Sequence, residues 1–251
     1  MPLRGSRAKI IGMKISLVLI LFCVSGFAEK LELIRKIPHS GYSEGIEFHD
    51  GVLWNAFPKK IVKIDPKDGT ILETFPPASD YSESITFLNG KLWNVSFSDD
   101  GIYSAKFGRT SKKADFKRVG TAPEDHAWGL CTDGKQLIMS GNYSYSIYFY
   151  DPKTVKQVRK ITTPVKDLED CAWDGRGIWT SSFTSHRGQI FWVDPVTGAI
   201  PKFYDLPEPE ACPVIDGIAF DGKALWVTGK ECPAIYQVKM PAELPGMGKK
   251  K

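Results

Sequence analysis

Four acidic residues and one tryptophan recur at matching places along this chain of 251 residues: Glu44, Glu83, Trp128, Glu169 and Asp216. Each stands just ahead of an apolar run that ends in a turn, in EGIEFHDG, ESITFLNG, WGLCTDG, EDCAWDG and DGIAFDG. Counted back from the turn glycine, the offset is seven residues for Glu44 and Glu83 and six for the other three. Carboxyl groups held within several ångströms raise one another's pKa, so such a set can keep one member protonated near neutral pH and supply a general acid/base. The plainer reading is a channel filled by water or a cation, with the acids satisfying backbone amides. A second layer follows each next apolar run: Phe97, Asn142, Phe183 and Lys230, with Pro58 in the first unit. The two layers describe a pocket with an acidic centre, aromatic walls and one cation, Lys230.

The elements that must position these residues are short strands. The second runs read GVLWNAF, KLWNVSF, QLIMSGN, GIWTSSF and ALWVTGK, and a third strand with its turn repeats as KIDPKDG, FYDPKTV and WVDPVTG. Asp-Gly or Asn-Gly pairs separate the first two runs of each unit, and such pairs between apolar runs are strong hairpin signals. A period of roughly 40 to 45 residues with several strands per unit is the mark of a propeller, because one four-stranded sheet cannot bury its own faces. The expected fold is all-β, a five-bladed β-propeller with four antiparallel strands per blade. The last unit stops after three strands, at Ala234 to Met240, while an orphan strand, Leu31 to Ile37, precedes the first. The N-terminal strand is therefore predicted to close the last blade and cover an otherwise unpaired edge. No segment after the leader has helical periodicity.

Residues 1–28 read as a secretory signal peptide: Arg4, Arg7, Lys9 and Lys14 precede the apolar run Ile15 to Val24, and small residues lead to cleavage after Ala28. Met13 competes with Met1 as the start. The apolar run is about half the ~20 residues a membrane span needs, so no stable membrane insertion is expected. The propeller is assigned to 29–242 and a basic flexible tail to 243–251. Without the leader's four basic residues, Lys+Arg falls from 33 to 29, equal to the 29 Asp+Glu; no basic stripe points to nucleic acid. The expected locale is periplasmic or secreted, and the protein is read as a monomer. Cys23 leaves with the leader, and of the remaining four cysteines Cys212 and Cys232, both near one rim of the last blade, form the favoured disulfide; free buried thiols are the alternative. The histidines His39, His49, His126 and His186 have no ligand spacing, and the chain has no GxSxG, CxxC or Gly-rich phosphate loop.

GIEFHDGVLW, ITFLNGKLWNV, WGLCTDGKQLIMSG, FYDPKTVKQVRKI, DPVTGAI and DGIAFDGKALWVTGK resemble the plant and bacterial type of glutaminyl cyclase, the glutamine cyclotransferase family of five-bladed propellers, over nearly all of residues 40 to 240. The resemblance implies conversion of an N-terminal glutamine, free or on a peptide, to pyroglutamate with loss of ammonia and without zinc. It places the family's catalytic glutamate on Glu83, its lysine on Lys230 as an oxyanion or carbonyl partner, and a pocket tryptophan on Trp128. The chain also departs from the pattern. Glu44 stands for a glutamine, Glu169 and Asp216 for asparagines, Phe97 and Phe183 for tryptophans, and Tyr42 and Tyr81 for phenylalanines. Acids in place of amides imply a retuned pocket, one suited to a cationic substrate. They also leave Ca²⁺, which takes several oxygen ligands, as the alternative to a site with no cofactor. Two other functions stay open: a metal-dependent lactonase or esterase with Glu44, Glu169 and Asp216 as ligands, and a non-catalytic binding propeller.

Overall fold

The computed structural model describes residues 28–242, apart from 40, 109–110, 124–126 and 142. The leader through residue 27, the tail 243–251, and Asn142 of the second layer lie outside the described residues. The described residues begin with β1 (Glu29–Lys30) and β2 (Leu33–Pro38). Four strands then make the first blade: β3 (Ile46–His49), β4 (Val52–Phe57), β5 (Lys60–Ile64) and β6 (Ile71–Phe75). The second is β7 (Ser82–Leu88), β8 (Lys91–Ser96), β9 (Gly101–Lys106) and β10 (Lys117–Thr121). The third is β11 (Ala127–Thr132), β12 (Leu137–Gly141), β13 (Ser146–Asp151) and β14 (Lys156–Thr162). The fourth is β15 (Leu168–Trp173), β16 (Ile178–Ser182), β17 (Gln189–Val193) and β18 (Lys202–Asp205). The fifth has β19 (Gly217–Phe220), β20 (Ala224–Thr228) and β21 (Ala234–Lys239), and takes β2 as its outer strand.

The result is the expected five-bladed propeller, its last blade closed antiparallel by β2 with Ile37 opposite Ile235. One feature was not foreseen: β1 pairs in parallel with β18, so the fourth sheet has five strands. The chain crosses from the fourth blade to the fifth at its start and covers both outer edges, which would otherwise expose unpaired N–H and C=O groups. A single 3₁₀ turn, Phe183–Ser185, is the one helical element among the described residues. None of these residues forms a helix long and apolar enough to cross a membrane.

The hairpin turns follow from their residues. Asp50-Gly51 and Asn89-Gly90 adopt positive φ at both positions, the requirement of a type I′ turn. At Asp133, Asp174 and Asp221 only the glycine is left-handed, and the aspartate carboxylate instead accepts N–H bonds from two and three residues on. The core is five apolar layers, each between neighbouring blades. Trp54 and Phe75 of the first blade pack with Ile85 and Leu92 of the second, and Trp179 and Tyr204 of the fourth pack with Leu225 and Tyr236 of the fifth. Disulfides join Cys131 to Cys171, linking the inner strands of the third and fourth blades, and Cys212 to Cys232 in the fifth. Because every blade is covered on both faces, the inner strands point one end at a common axis, and the site stands there.

Candidate active site

Propeller geometry brings the start of every inner strand and the end of every second strand to the same face. Glu83, Trp128 and Glu169 lie in β7, β11 and β15; Glu44 and Asp216 lie one or two residues ahead of β3 and β19. The backbone bulges at this level. Pairing skips from Ser82 to Ser84 in β7, from Ala127 to Leu130 in β11 and from Leu168 to Cys171 in β15, so Glu83, Trp128 and Glu169 occupy interruptions in their ladders. A bulge frees a side chain from strict alternation and re-aims it, here toward the axis.

The acids meet around Lys230, which follows β20. Its Nζ lies 2.8 Å from Asp216 Oδ1 and 3.1 Å from Glu44 Oε2. The Asp216 carboxylate also accepts the Lys230 backbone N–H at 2.8 Å, so it holds that residue at both ends. Tyr81 donates its hydroxyl to Glu44 Oε1 at 2.6 Å. Glu83 and Glu169 are buried as well, and Glu83 Oε2 and Glu169 Oε1 have no protein hydrogen-bond partner. The rim is aromatic. Lys230 Nζ stands 5.5 Å from the Tyr42 ring centroid and 5.7 Å from that of Phe183; Phe183 meets Trp128 edge to face, and Tyr81 packs against Phe97. Exposure rises outward from the floor, with Glu44 and Asp216 at 1%, Lys230 at 13% and Tyr42 at 52%. The fold thus draws Tyr42, Glu44, Tyr81, Glu83, Phe97, Trp128, Glu169, Phe183, Asp216 and Lys230 into one cluster.

Four carboxyls against one ammonium set the electrostatics. Burial pushes Glu83 well above the ordinary carboxylate range, the Glu44 charge adds to this, and Lys230 opposes it. Glu169 is displaced the same way, by burial and then by Asp216. Burial carries Glu44 up to about 7 against the pull of Lys230, and Asp216 is also raised. Burial alone would lower the Lys230 ammonium; Glu169, Asp216, Glu44 and Glu83 outweigh it and hold the lysine charged. Glu44, Glu169 and Asp216 were the ligand set of the metal reading. Among the described residues no three His, Cys, Asp or Glu side chains form a metal-binding group, and the positive charge between Glu44 and Asp216 is the lysine itself.

One buried residue at the axis was missed in the sequence: Asp170, whose carboxylate takes hydrogen bonds from other blades. Regular alternation would turn it away from whatever Glu169 faces, and the bulge that allows both to serve the centre leaves no mark in the hydrophobic pattern. The available signal was its repeat position, where the other units carry Gly45, Ser84, Gly129 and Gly217.

The comparisons with known proteins agree with this fold. The profile of the glutamine cyclotransferase family matches residues 25–240. Glutaminyl-peptide cyclotransferase of Arabidopsis thaliana is 30% identical over 129 residues, a stretch covering 45% of this chain and 39% of that protein. The crystal structure of Myxococcus xanthus glutaminyl cyclase superposes with a TM-score of 0.70 over 84% of this chain and 98% of that one, at 18% identity, which is a likeness of fold.

Proposed function

Because the chain belongs to the glutamine cyclotransferase family, we propose that it closes an N-terminal glutamine to pyroglutamate with release of ammonia, with Glu83 as the general acid/base. In this reaction the substrate α-amine attacks its own γ-carboxamide carbon; a proton must leave the amine and one must reach the departing nitrogen. A single carboxyl can do both if its pKa stands near the working pH, so that both of its forms are populated. The observation that carries this assignment is Glu83 itself, only 3% exposed, with Oε2 bare of any protein donor and its pKa raised by burial and by Glu44. Glu169 Oε1 is equally bare; the catalytic place goes to Glu83 because its segment is the one that resembles the family's catalytic segment. Lys230, held charged, faces the same space and would stabilise the oxyanion of the tetrahedral intermediate. Trp128 and Phe183 would wall the forming ring.

The amide-to-acid departures support a preference for glutamine followed by a basic residue, since the floor carries more carboxyls than cations. Export is the matching locale, because two disulfides persist in an oxidising compartment and not in a reducing cytosol. The test is incubation of the chelated protein with Gln-initiated peptides, followed by mass spectrometry for the loss of one ammonia. Turnover is expected, fastest with Lys or Arg second. Glu83→Gln should lower kcat by about 10²–10⁴-fold; a Glu83→Gln protein that keeps full activity would remove Glu83 from the chemistry.

A further inference from the structure

We propose that Asp170 is the positioning residue of this site: its single carboxylate, clasped by the inner strands of all four other blades, sets the spacing of Glu44, Glu83, Trp128, Glu169 and Asp216. The proposal rests on the reading of the site given above and adds to it how the ring is held.

The residue after each ring member is Gly45, Ser84, Gly129, Asp170 or Gly217. These five positions crowd the axis. A Cβ built on Gly45 would lie 2.8 Å from Ser84 Cα, one on Gly129 2.4 Å from the Glu169 carbonyl oxygen, and one on Gly217 2.7 Å from the Glu44 carbonyl oxygen. Real Cβ atoms do not approach backbone so closely, so the inner strands can draw together only if most of these residues lack a side chain. The space at the axis is left to one carboxylate. Asp170 is fully buried. Its Oδ2 accepts the N–H of Ile46 at 2.9 Å and of Ile218 at 3.2 Å. Its Oδ1 accepts the Ser84 hydroxyl at 2.6 Å and the Leu130 N–H at 3.4 Å.

Each of these donors is one or two residues from a ring member. Ile46 follows Glu44 by two, Ser84 follows Glu83 by one, Leu130 follows Trp128 by two, Ile218 follows Asp216 by two, and Glu169 precedes Asp170 itself. The bulges sit at the same level, where the sheet ladders alone leave the backbone least determined. Neighbouring inner strands are also bonded in pairs, the Gly45 N–H to the Glu83 carbonyl at 2.8 Å and the Leu130 N–H to Ser84 Oγ at 3.2 Å, but the Asp170 carboxylate is one acceptor that all four other blades share. Cys131–Cys171 joins two of these strands covalently.

The test compares wild type with Asp170→Asn and Ser84→Ala, measuring melting, kcat and KM on a Gln-initiated peptide, the pH profile, and exchange of the Ile46, Leu130 and Ile218 amides. An asparagine keeps one acceptor oxygen and turns an NH₂ toward the backbone N–H on its other side. The folded Asp170→Asn protein should lose about 10²-fold in kcat, the cost of a misplacement near 1 Å, with KM little changed. Its acid limb should move to lower pH, because Glu83 loses a neighbouring negative charge, and the three amides should exchange faster. A folded Asp170→Asn protein with wild-type kcat overturns the proposal. So does a loss of activity that only follows the loss of folded protein while the acid limb stays put. If Asp170→Asn does not fold, Ser84→Ala decides: it removes the Ser84 clasp on Asp170, together with the Ser84 contact to Leu130, and no charge, and an unchanged kcat in that variant overturns the idea. If wild type turns over no glutamine substrate, the functional reading has failed. The amides and the ¹⁵N resonance of the Lys230 ammonium, which reports the Glu44 to Asp216 spacing, then carry the test, and neither moving on substitution of Asp170 overturns the proposal.

Discussion

Replacing Lys230 with methionine should make the stability of this protein depend steeply on pH, and the size of the effect can be worked from two distances. The ammonium stands 2.8 and 3.1 Å from its two carboxylates; at an effective dielectric of about 20, those contacts are worth about 6 and about 5 kcal/mol before desolvation. Desolvating three charged groups removes much of that gain, and breaking a buried ion pair from one side costs about 3–5 kcal/mol. The loss is that large only while the stranded acids are ionised. Lys230 is the leading influence that lowers both Glu44 and Asp216, so its removal raises the pKa of each. A carboxyl whose native pKa exceeds its unfolded one contributes stability that is full below the unfolded value and lost as pH climbs through the native value. The Lys230→Met protein should therefore be about 3–5 kcal/mol less stable than wild type near pH 8 and within about 2 kcal/mol of it near pH 5. Urea melts at the two pH values measure this, with a melt of Lys230→Gln as a control for lost packing. A penalty that is the same at both pH values, or below about 1 kcal/mol near pH 8, would refute the ion-pair account.

Two further outcomes follow. Gly129→Ala should destabilise by about 1–3 kcal/mol through overpacking and lower kcat, because the new methyl meets the Glu169 carbonyl oxygen at 2.4 Å; a neutral substitution would show the axis to be looser than described. Wild-type melting temperature should rise as pH falls from about 8 to about 5. Burial raises Glu83 and Glu169 and carries Glu44 and Asp170 to about 7. Glu44 alone moves from 4.5 to about 7, on the order of 3 kcal/mol at the low-pH end. Calorimetry across that range checks it, and a melting temperature that climbs steadily toward alkaline pH would contradict a buried ring of four carboxyls set against one ammonium.

What the sequence could reveal here depends on which physical rule each feature obeys. The five blades were legible because Asp-Gly and Asn-Gly turns follow from local φ preferences, and because an apolar run between turns must be a strand. The closure by β2 was legible because a three-strand unit and an orphan strand leave two edges that cost free energy unless joined. Counting back from Gly51, Gly90, Gly134, Gly175 and Gly222 reached Glu44, Glu83, Trp128, Glu169 and Asp216, since pseudo-symmetry carries equal offsets to equal heights. The same counting passed over Asp170, because a period-two reading cannot place two neighbours at one centre and only a bulge can. Parallel pairing of β1 with β18 was hidden for a related reason: two residues carry no pattern, and their partner lies about 175 positions away in a contact set by tertiary closure alone. Pseudo-symmetry itself accounts for both the success and the omission. Equal positions were sought for what they share, whereas the axis depends on a position where one unit differs, with an aspartate set among three glycines and a serine.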